Sequence, residues 1–124
     1  MKIILDASAL LAWMLNEPGS DQVETELAHA AISSLNWSEV LQKSVAKGVD
    51  IIGLQTDLEA LGLVVVPFDA SDAQAAAQLW EKARNLSLAD RACLALGIKH
   101  QLPVWTTDRL WTTTPTNAIV YLLR

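Results

Sequence analysis

The chain lacks the features that several large classes of protein need. It has one cysteine, Cys93, among 124 residues, so neither an internal disulfide nor a metal site that needs a pair of cysteines can form. The two histidines, His29 and His100, fall at unrelated predicted helix ends and are expected at the surface. No apolar run approaches the roughly 20 residues that span a bilayer, and Asp6 interrupts the apolar N-terminal segment, which argues against an export signal. We therefore expect a cytoplasmic protein with no membrane segment and a buried, inert thiol.

Positive charge is also scarce. Nine Lys and Arg residues stand against 14 Asp and Glu residues, which gives a formal net charge of -5. Proteins that bind nucleic acid through a broad basic face have the opposite balance. Any contact with nucleic acid must therefore be local, metal-mediated or supplied by a partner. Hydrophobic residues make up 52% of the chain, enough for a packed core, and the length suits one domain over residues 1–124.

Short unbroken apolar runs alternate with segments of helical periodicity. Strands that are apolar without in–out alternation indicate a sheet buried on both faces. The expected fold is α/β, a three-layer α/β/α sandwich with a central parallel sheet of about five strands. The predicted strands are Ile3–Leu5, 31–32, Val64–Val66, 104–105 and 118–122. The predicted helices are 8–16, 20–29, 36–47, 51–61, 71–84 and 88–99, the fifth starting with a capping pair, Ser71 and Gln74.

Four acidic residues occupy corresponding places in this pattern. Asp6, Glu39, Asp90 and Asp108 each follow an apolar run or begin a predicted helix. The carboxyl ends of parallel strands form the crevice in which ligands bind. Four carboxylates gathered there would repel each other by roughly 4 kcal/mol per pair at 4 Å and an effective dielectric of 20. Such a cluster needs a divalent cation or protons.

Each acid also has a local structural interpretation. Glu39 and Asp90 stand three residues after Asn36 and Ser87, which is the spacing of a capping box. The other two acids precede predicted helical segments that they could cap. Capping alone would distribute acids over both edges of the sheet, whereas the predicted topology gathers these four at one edge. The joint pattern therefore favours a shared site.

Carboxylate oxygens are hard ligands that suit Mg²⁺ or Mn²⁺. A site of this kind fits metal-assisted hydrolysis of phosphodiester bonds by one or two ions, and helix N-termini at the same edge add partial positive charge. Two hydroxyl side chains, Ser8 and Thr106, lie close in sequence to the first and last acids. They are either supporting residues that orient those carboxylates or ordinary turn residues.

Four segments, in order, carry the proposed site acids: ILDASALL at 4–11, NWSEV at 36–40, LSLADRACLAL at 86–96 and LPVWTTDRLW at 102–111. Together they resemble the PIN-domain ribonucleases and, among them, the VapC-like toxins of bacterial toxin–antitoxin pairs. The chain departs from the pattern at Asn85, near which glycine is expected, and at Thr107, where alanine is common.

This resemblance implies a Mg²⁺- or Mn²⁺-dependent endoribonuclease that cuts transfer RNA or ribosomal RNA. It implies Asp6, Glu39, Asp90 and Asp108 as the catalytic and metal-binding residues. It also implies a homodimer and a cognate antitoxin whose basic C-terminal tail occupies the acidic cleft, in agreement with the acidic charge balance.

The basic residues near the acids have two interpretations. Arg91 and Arg109 each adjoin a proposed site acid. They could contact the phosphates of RNA or a segment of the antitoxin, or pair with the acids. Lys43 and Lys47 share a helix face and are interpreted as solvated. The acidic stretch over residues 17–26 is either a solvated face or a contact for a basic antitoxin segment.

Five tryptophans are many for this length. Trp80 and Trp105 are expected in the core, from the helical stripe and the buried strand in which they fall. Trp13, Trp37 and Trp111 belong to the core or an interface, or stack on RNA bases, and we favour the first two possibilities.

Two other functional classes compete with the nuclease. One is a catalytically silent PIN-like module that acts by binding a protein, against which the presence of all four acids argues. The other is a response-regulator receiver, which also gathers acids at a strand edge but needs a lysine after a late strand. Here Val104 and Trp105 are followed by Thr106, Thr107 and Asp108.

Overall fold

Five parallel strands form one sheet in the order β3-β2-β1-β4-β5. The structure is a computed structural model that describes residues 1–81, 85–114 and 116–124. The strands are β1 (Ile3–Leu5), β2 (Ala30–Ser33), β3 (Val64–Val66), β4 (Val104–Thr106) and β5 (Val120–Leu122). The helices are α1 (Ala7–Met14), α2 (Ser20–Glu26), α3 (Ser34–Ala46), α4 (Leu54–Ala60), α5 (Ala70–Gln78) and α6 (Leu88–His100). Short 3-10 helices cover Leu27–His29 and Arg109–Thr112.

Alternate residues of the central strands enter two separate cores. Ile3 and Leu5 pack with side chains of α1 to α4 on one face of the sheet. Ile4 packs on the other face with side chains of α6 and with Trp111, while α5 packs against α6. At Gly97, α6 approaches β4 so closely that a Cβ atom would overlap the Val104 side chain. These layers confirm the expected three-layer α/β/α sandwich with a five-stranded parallel sheet.

The strand order fixes where a ligand crevice can form. From β1 the chain moves outward to β2 and β3 on one side, and the later strands β4 and β5 lie on the other. The direction therefore reverses between β1 and β4, and the carboxyl ends of the strands around such a switch point are where open α/β sheets bind ligands. Asp6 follows β1 directly, and Asp108 follows β4 by two residues.

The prediction for α5 was wrong in its cap and its end. The helix begins at Ala70 with Asp69 as its N-cap, and the capping box joins Asp69 to Asp72 rather than Ser71 to Gln74. Because the helix ends at Gln78, the apolar stripe does not continue to Trp80, whose side chain is 60% exposed instead of buried in the core. Residues 82–84 of the predicted helix lie outside the described residues.

The prediction for α3 was wrong at its start. Ser33 is the N-cap and Ser34 the first helical residue, so Glu39 lies in the second turn and the expected capping box with Asn36 does not exist. The reason is that the strand before it runs one residue beyond the apolar pair 31–32, and Ser33 provides the cap itself.

Exposure along the sheet edges also differs from the expectation of a fully buried sheet. Val64 in the edge strand β3 is 48% exposed, because an edge strand has a neighbour on one side only. The other edge strand begins at Val120, two residues later than predicted.

Most expectations for single side chains are confirmed. Cys93 is a free, buried thiol, and both histidines are exposed. Trp37 and Trp111 are buried in the two cores, Trp13 packs against the first of these cores, and Trp105 is half-buried against Tyr121. Trp37 and Trp111 therefore have no face free to stack on a base. Within the described residues, no helix has the length and apolar character needed to cross a membrane.

Candidate active site

The four predicted acids line one cleft at the carboxyl ends of the central strands. Its volume is about 150 Å³. The residues that line it are Asp6, Ala7, Ser8, Asn36, Glu39, Lys43, Asp90 and Asp108. Residues separated by up to 102 positions in the sequence thus meet because β1 and β4 are adjacent and because α3 and α6 both begin at this edge.

Asp6 is the most enclosed of the four acids. It is 6% exposed and forms the N-cap of α1. Its Oδ1 atom accepts hydrogen bonds from the Ser8 hydroxyl at 2.7 Å and from the backbone N–H of Ala9 at 2.8 Å. Its Oδ2 atom accepts one from the Thr106 hydroxyl at 2.6 Å. Three donors therefore hold this carboxylate in a single orientation.

The same hydroxyl groups connect β1 to the segment that carries Asp108. Thr106 Oγ1 accepts a hydrogen bond from the Asp108 N–H at 3.0 Å, and Ser8 Oγ accepts one from the Thr107 N–H at 3.0 Å. Asp108 in turn caps the 3-10 helix by accepting from the Leu110 N–H at 2.9 Å. The two hydroxyls thus tie the first and last acids into one network.

Glu39 is held more loosely, by a side chain of its own helix. The Asn36 amide donates to Glu39 Oε1 at 3.5 Å and to the Ala89 carbonyl at 3.1 Å. Asn36 is 1% exposed, and it joins α3 to the first turn of α6. Its Oδ1 atom is buried without a hydrogen-bond partner among the described residues.

Asp90 is the third residue of α6 and forms a capping box there. Its Oδ2 atom accepts a hydrogen bond from the Ser87 N–H at 3.0 Å, while the Ser87 hydroxyl accepts from the Asp90 N–H at 3.1 Å. The capping interpretation of Asp90 is therefore correct, and the same carboxylate lines the cleft.

Burial changes the proton affinity of two of these acids. The enclosed position of Asp6 raises its pKa from 3.8 to about 6, although its three hydrogen bonds oppose the change. Partial burial raises the pKa of Glu39 as well, with the charge of Asp90 acting in the same direction and that of Lys43 against it. Both acids thus bind protons more readily than free carboxylates do. This is expected for buried carboxylates whose negative charge is not fully compensated by a nearby positive charge.

The donor set fits a hydrated divalent ion better than a closed protein cage. Among the residues that the structure describes, no three His, Cys, Asp or Glu side chains lie close enough together to hold one ion directly. This differs from the expectation of four carboxylates gathered tightly around a shared ion. Mg²⁺ usually keeps several waters and binds through one or two carboxylates. The cleft has room for such waters, and the unpaired Oδ1 atom of Asn36 would accept a hydrogen bond from one of them.

The two arginines do not line the cleft. Arg91 donates to the Ala76 carbonyl at 3.0 Å, so its guanidinium faces α5 rather than the acids. Arg109 is exposed in the 3-10 helix. The structure instead adds Asn36 and Lys43 to the lining, which the sequence analysis missed. Their spacing of three and four residues from Glu39 was the available signal, because it places all three side chains on one helix face.

Comparison with known proteins identifies the family. The sequence profile of the PIN domain matches residues 3–115. The chain belongs to the PIN domain family. Members of this family are typically metal-dependent nucleases. No curated protein sequence matches the chain significantly.

Solved structures share the fold of this PIN domain at low sequence identity. One is the DNA-bound VapBC of Salmonella typhimurium, with a TM-score of 0.75 and 15% identity over 100% of this chain and 99% of that one. Another is VapBC2 of Rickettsia felis bound to a DNA fragment from its promoter, with a TM-score of 0.72 and 19% identity over the whole of both chains. A third is a toxin–antitoxin complex of Klebsiella pneumoniae, with a TM-score of 0.68 and 19% identity over 86% of this chain and 87% of that one.

Proposed function

We propose that this PIN domain is the toxin of a type II toxin–antitoxin pair and that it hydrolyses RNA phosphodiester bonds with Mg²⁺ or Mn²⁺. The observation that carries the proposal is the cleft lined by Asp6, Glu39, Asp90 and Asp108. Folding does not require four acids from four distant segments to lie in one cleft, because each acid could cap a helix or contact solvent at a separate place on the surface. Membership of a family of metal-dependent nucleases supports the same conclusion.

In this proposal the four acids share three tasks. A bound ion would supply charge neutralisation at the phosphate and activation of a water molecule. Asp6, fixed by three hydrogen bonds, gives the site a rigid carboxylate. Asp90 and Asp108 each keep one oxygen on a backbone N–H, which leaves the other oxygen for the ion or its waters. Glu39, with its raised pKa and looser contacts, is suited to accept a proton from the attacking water.

Ser8 and Thr106 are proposed as supporting residues, because both donate to Asp6 and both connect it to the Asp108 segment. The proposal includes a cognate antitoxin whose basic C-terminal tail enters the cleft and neutralises it, and a homodimer as the active form. The acidic cleft and the formal charge of -5 favour a basic partner. Transfer RNA or ribosomal RNA is the proposed substrate.

The test uses two substitutions of matched geometry. Asp90→Asn keeps an oxygen that can accept from the Ser87 N–H, so the α6 capping box can survive. Asp72→Asn makes the same change at the same position of the α5 capping box, outside the cleft. We expect Asp90→Asn to slow cleavage of transfer RNA in Mg²⁺ by a factor on the order of 100 or more, and Asp72→Asn to cleave at the wild-type rate. Cleavage by a folded Asp90→Asn protein at the wild-type rate would refute the proposal.

A second function is favoured by one observation. No three acids among the described residues are close enough to bind an ion directly, as expected for a catalytically silent PIN domain that acts by binding a protein. In that case the wild-type protein would leave transfer RNA and ribosomal RNA intact in several millimolar Mn²⁺, and its binding to a partner would be insensitive to EDTA.

A further inference from the structure

Lys43 is the one basic side chain among the described residues that line the acidic cleft. It lies on α3, one turn after Glu39, and is exposed to solvent. A lysine four residues after a glutamate commonly pairs with it across the helix surface. Here, within the described residues, no carboxylate oxygen lies within 4.0 Å of the Lys43 ammonium. The positive charge of Lys43 therefore lies at the cleft without a direct ion pair to a described carboxylate.

The electrostatics of the cleft explain why such a charge matters. Four carboxylates face any polyanion that approaches, and like charges in a partly buried cleft repel each other more strongly than they do in bulk water. Hydrolysis of RNA nevertheless requires a phosphate to enter. A bound ion compensates for part of this repulsion at the reacting phosphate itself. A neighbouring phosphate needs a cation of its own, and the lysine ammonium is a compact point charge suited to that contact.

We propose that the Lys43 ammonium binds a phosphate oxygen of the RNA next to the bond that is cut. The inference rests on the proposed nuclease function and adds a substrate-binding residue to it. Lys43 belongs to the stripe Asn36, Glu39 and Lys43 on one face of α3, so the helix presents an amide, a carboxylate and a cation in a row along the cleft. The RNA backbone would follow this row, with the reacting phosphate near Glu39.

Lys47 provides a matched control. It is the C-cap of the same helix, four residues after Lys43, and it is exposed and absent from the cleft lining. Lys43→Ala and Lys47→Ala remove the same charge from neighbouring turns, so their net charges and long-range fields are nearly equal. A third variant, Lys43→Arg, keeps the charge and can still donate to phosphate.

The first measurement is the Kd for bulk transfer RNA between 50 and 200 mM salt. Ca²⁺ replaces Mg²⁺ in this measurement so that binding is followed without cleavage. Loss of a phosphate contact lowers the slope of log Kd against log salt by about 0.7 for single strands and about 0.9 for a duplex. We expect that reduction and a roughly tenfold weaker Kd for Lys43→Ala. Lys47→Ala should keep the wild-type slope, and Lys43→Arg should recover most of the affinity.

The second measurement is cleavage of the same RNA in Mg²⁺. Lys43→Ala should raise KM by a similar factor and change kcat by less than about twofold, because the lost contact forms with the substrate before the reaction. Equal salt slopes for Lys43→Ala and the wild type would overturn the inference, and so would slopes that fall equally for both alanine variants. A lower Tm for Lys43→Ala with an unchanged slope would instead show a local pair with Glu39 and would also overturn it.

Failure of the nuclease proposal is recognised separately. If Asp90→Asn cleaves RNA as the wild type does, the proposed function fails whatever Lys43 does. If Asp90→Asn is inactive while Lys43→Ala binds RNA with the wild-type slope, only the inference about Lys43 fails.

Discussion

Replacing Asp6 by asparagine should stabilise the metal-free protein, although the same change should abolish the proposed activity. Asp6 is almost fully enclosed, and burial raises the pKa of its carboxyl group from 3.8 to about 6. At pH 7.5 the side chain is therefore charged in a place that favours its neutral form. Asparagine has nearly the same shape and carries no charge.

The magnitude follows from the change in pKa. A rise of about 2 units in the pKa corresponds to about 3 kcal/mol. Where Asp6 is ionised in both the folded and the unfolded protein, the free energy of unfolding is lower by this amount than it would be with a neutral side chain. Asparagine keeps an oxygen that can accept from Ser8 and Ala9, and its NH₂ group replaces the oxygen that faces Thr106. Protonation of Asp6 requires the same rearrangement of the Thr106 hydroxyl. The free energy of that rearrangement is therefore already included in the pKa of Asp6. We expect a gain between about 1 and 3 kcal/mol at pH 7.5.

The gain should depend on pH with a defined sign. The folded protein binds the Asp6 proton more tightly than the unfolded chain does, so the contribution of Asp6 to stability is greatest below pH 3.8 and is lost as the pH rises through about 6. The difference between the variant and the wild type should be largest above pH 7 and fall to about half near pH 5.

Urea denaturation in EDTA at pH 5, 6, 7 and 8 measures this difference, with Asp57→Asn as the control. Asp57 is an exposed acid of α4 outside the cleft, and its replacement should change stability by less than about 0.5 kcal/mol at every pH. Addition of Mg²⁺ should raise the Tm of the wild type and not that of Asp6→Asn, because the ion binds only the folded, charged site. A variant less stable than the wild type at pH 7.5, or a difference that does not change with pH, would refute the reasoning.

Two further predictions concern the cores. Trp111→Ala should lower the free energy of unfolding, measured by urea denaturation, by about 3–5 kcal/mol because Trp111 is 2% exposed. Trp80→Ala should lower it by less than about 1 kcal/mol because Trp80 is 60% exposed. Equal losses for the two variants would contradict the described burial. Burial also raises the pKa of the Cys93 thiol well above its usual range, so Cys93 should react with Ellman's reagent only after unfolding in urea, and full labelling of the folded protein at pH 8 would contradict this.

The sequence predicted the layers and strand segments because both depend on local patterns. An unbroken apolar run such as Ile3–Leu5 favours a strand that is buried on both faces, which a sheet between two layers of helices provides. Exposure of Val64 and Trp80 was not predictable in the same way. It depends on which strand lies at the edge and on where α5 ends, and both are decided by packing between elements distant in sequence.

The acids of the candidate site and the supporting residue Ser8 were predictable from the sequence, whereas the lining residues Asn36 and Lys43 were not. Asp6 and Asp108 could be located because each follows a strand of the predicted sheet. Lys43 was interpreted as solvated together with Lys47, since a helix pattern shows which residues share a face and not what that face meets. The packing of α3 against α1 and α6, the latter joined to α3 by the hydrogen bond from Asn36 to the Ala89 carbonyl, places the face with Lys43 at the cleft.

The structural and functional interpretations of the acids are not alternatives in this fold. Helices that start at the carboxyl edge of a parallel sheet direct their free N–H groups toward the crevice, so an acid at such a start can cap the helix and line the cleft at the same time. Asp6, Asp90 and Asp108 each use one oxygen in this way. Glu39 differs, because it lies in the second turn and its hydrogen bond comes from Asn36 rather than from the backbone. Of the four acids, Glu39 is therefore the one whose position is the hardest to explain without a function in the cleft.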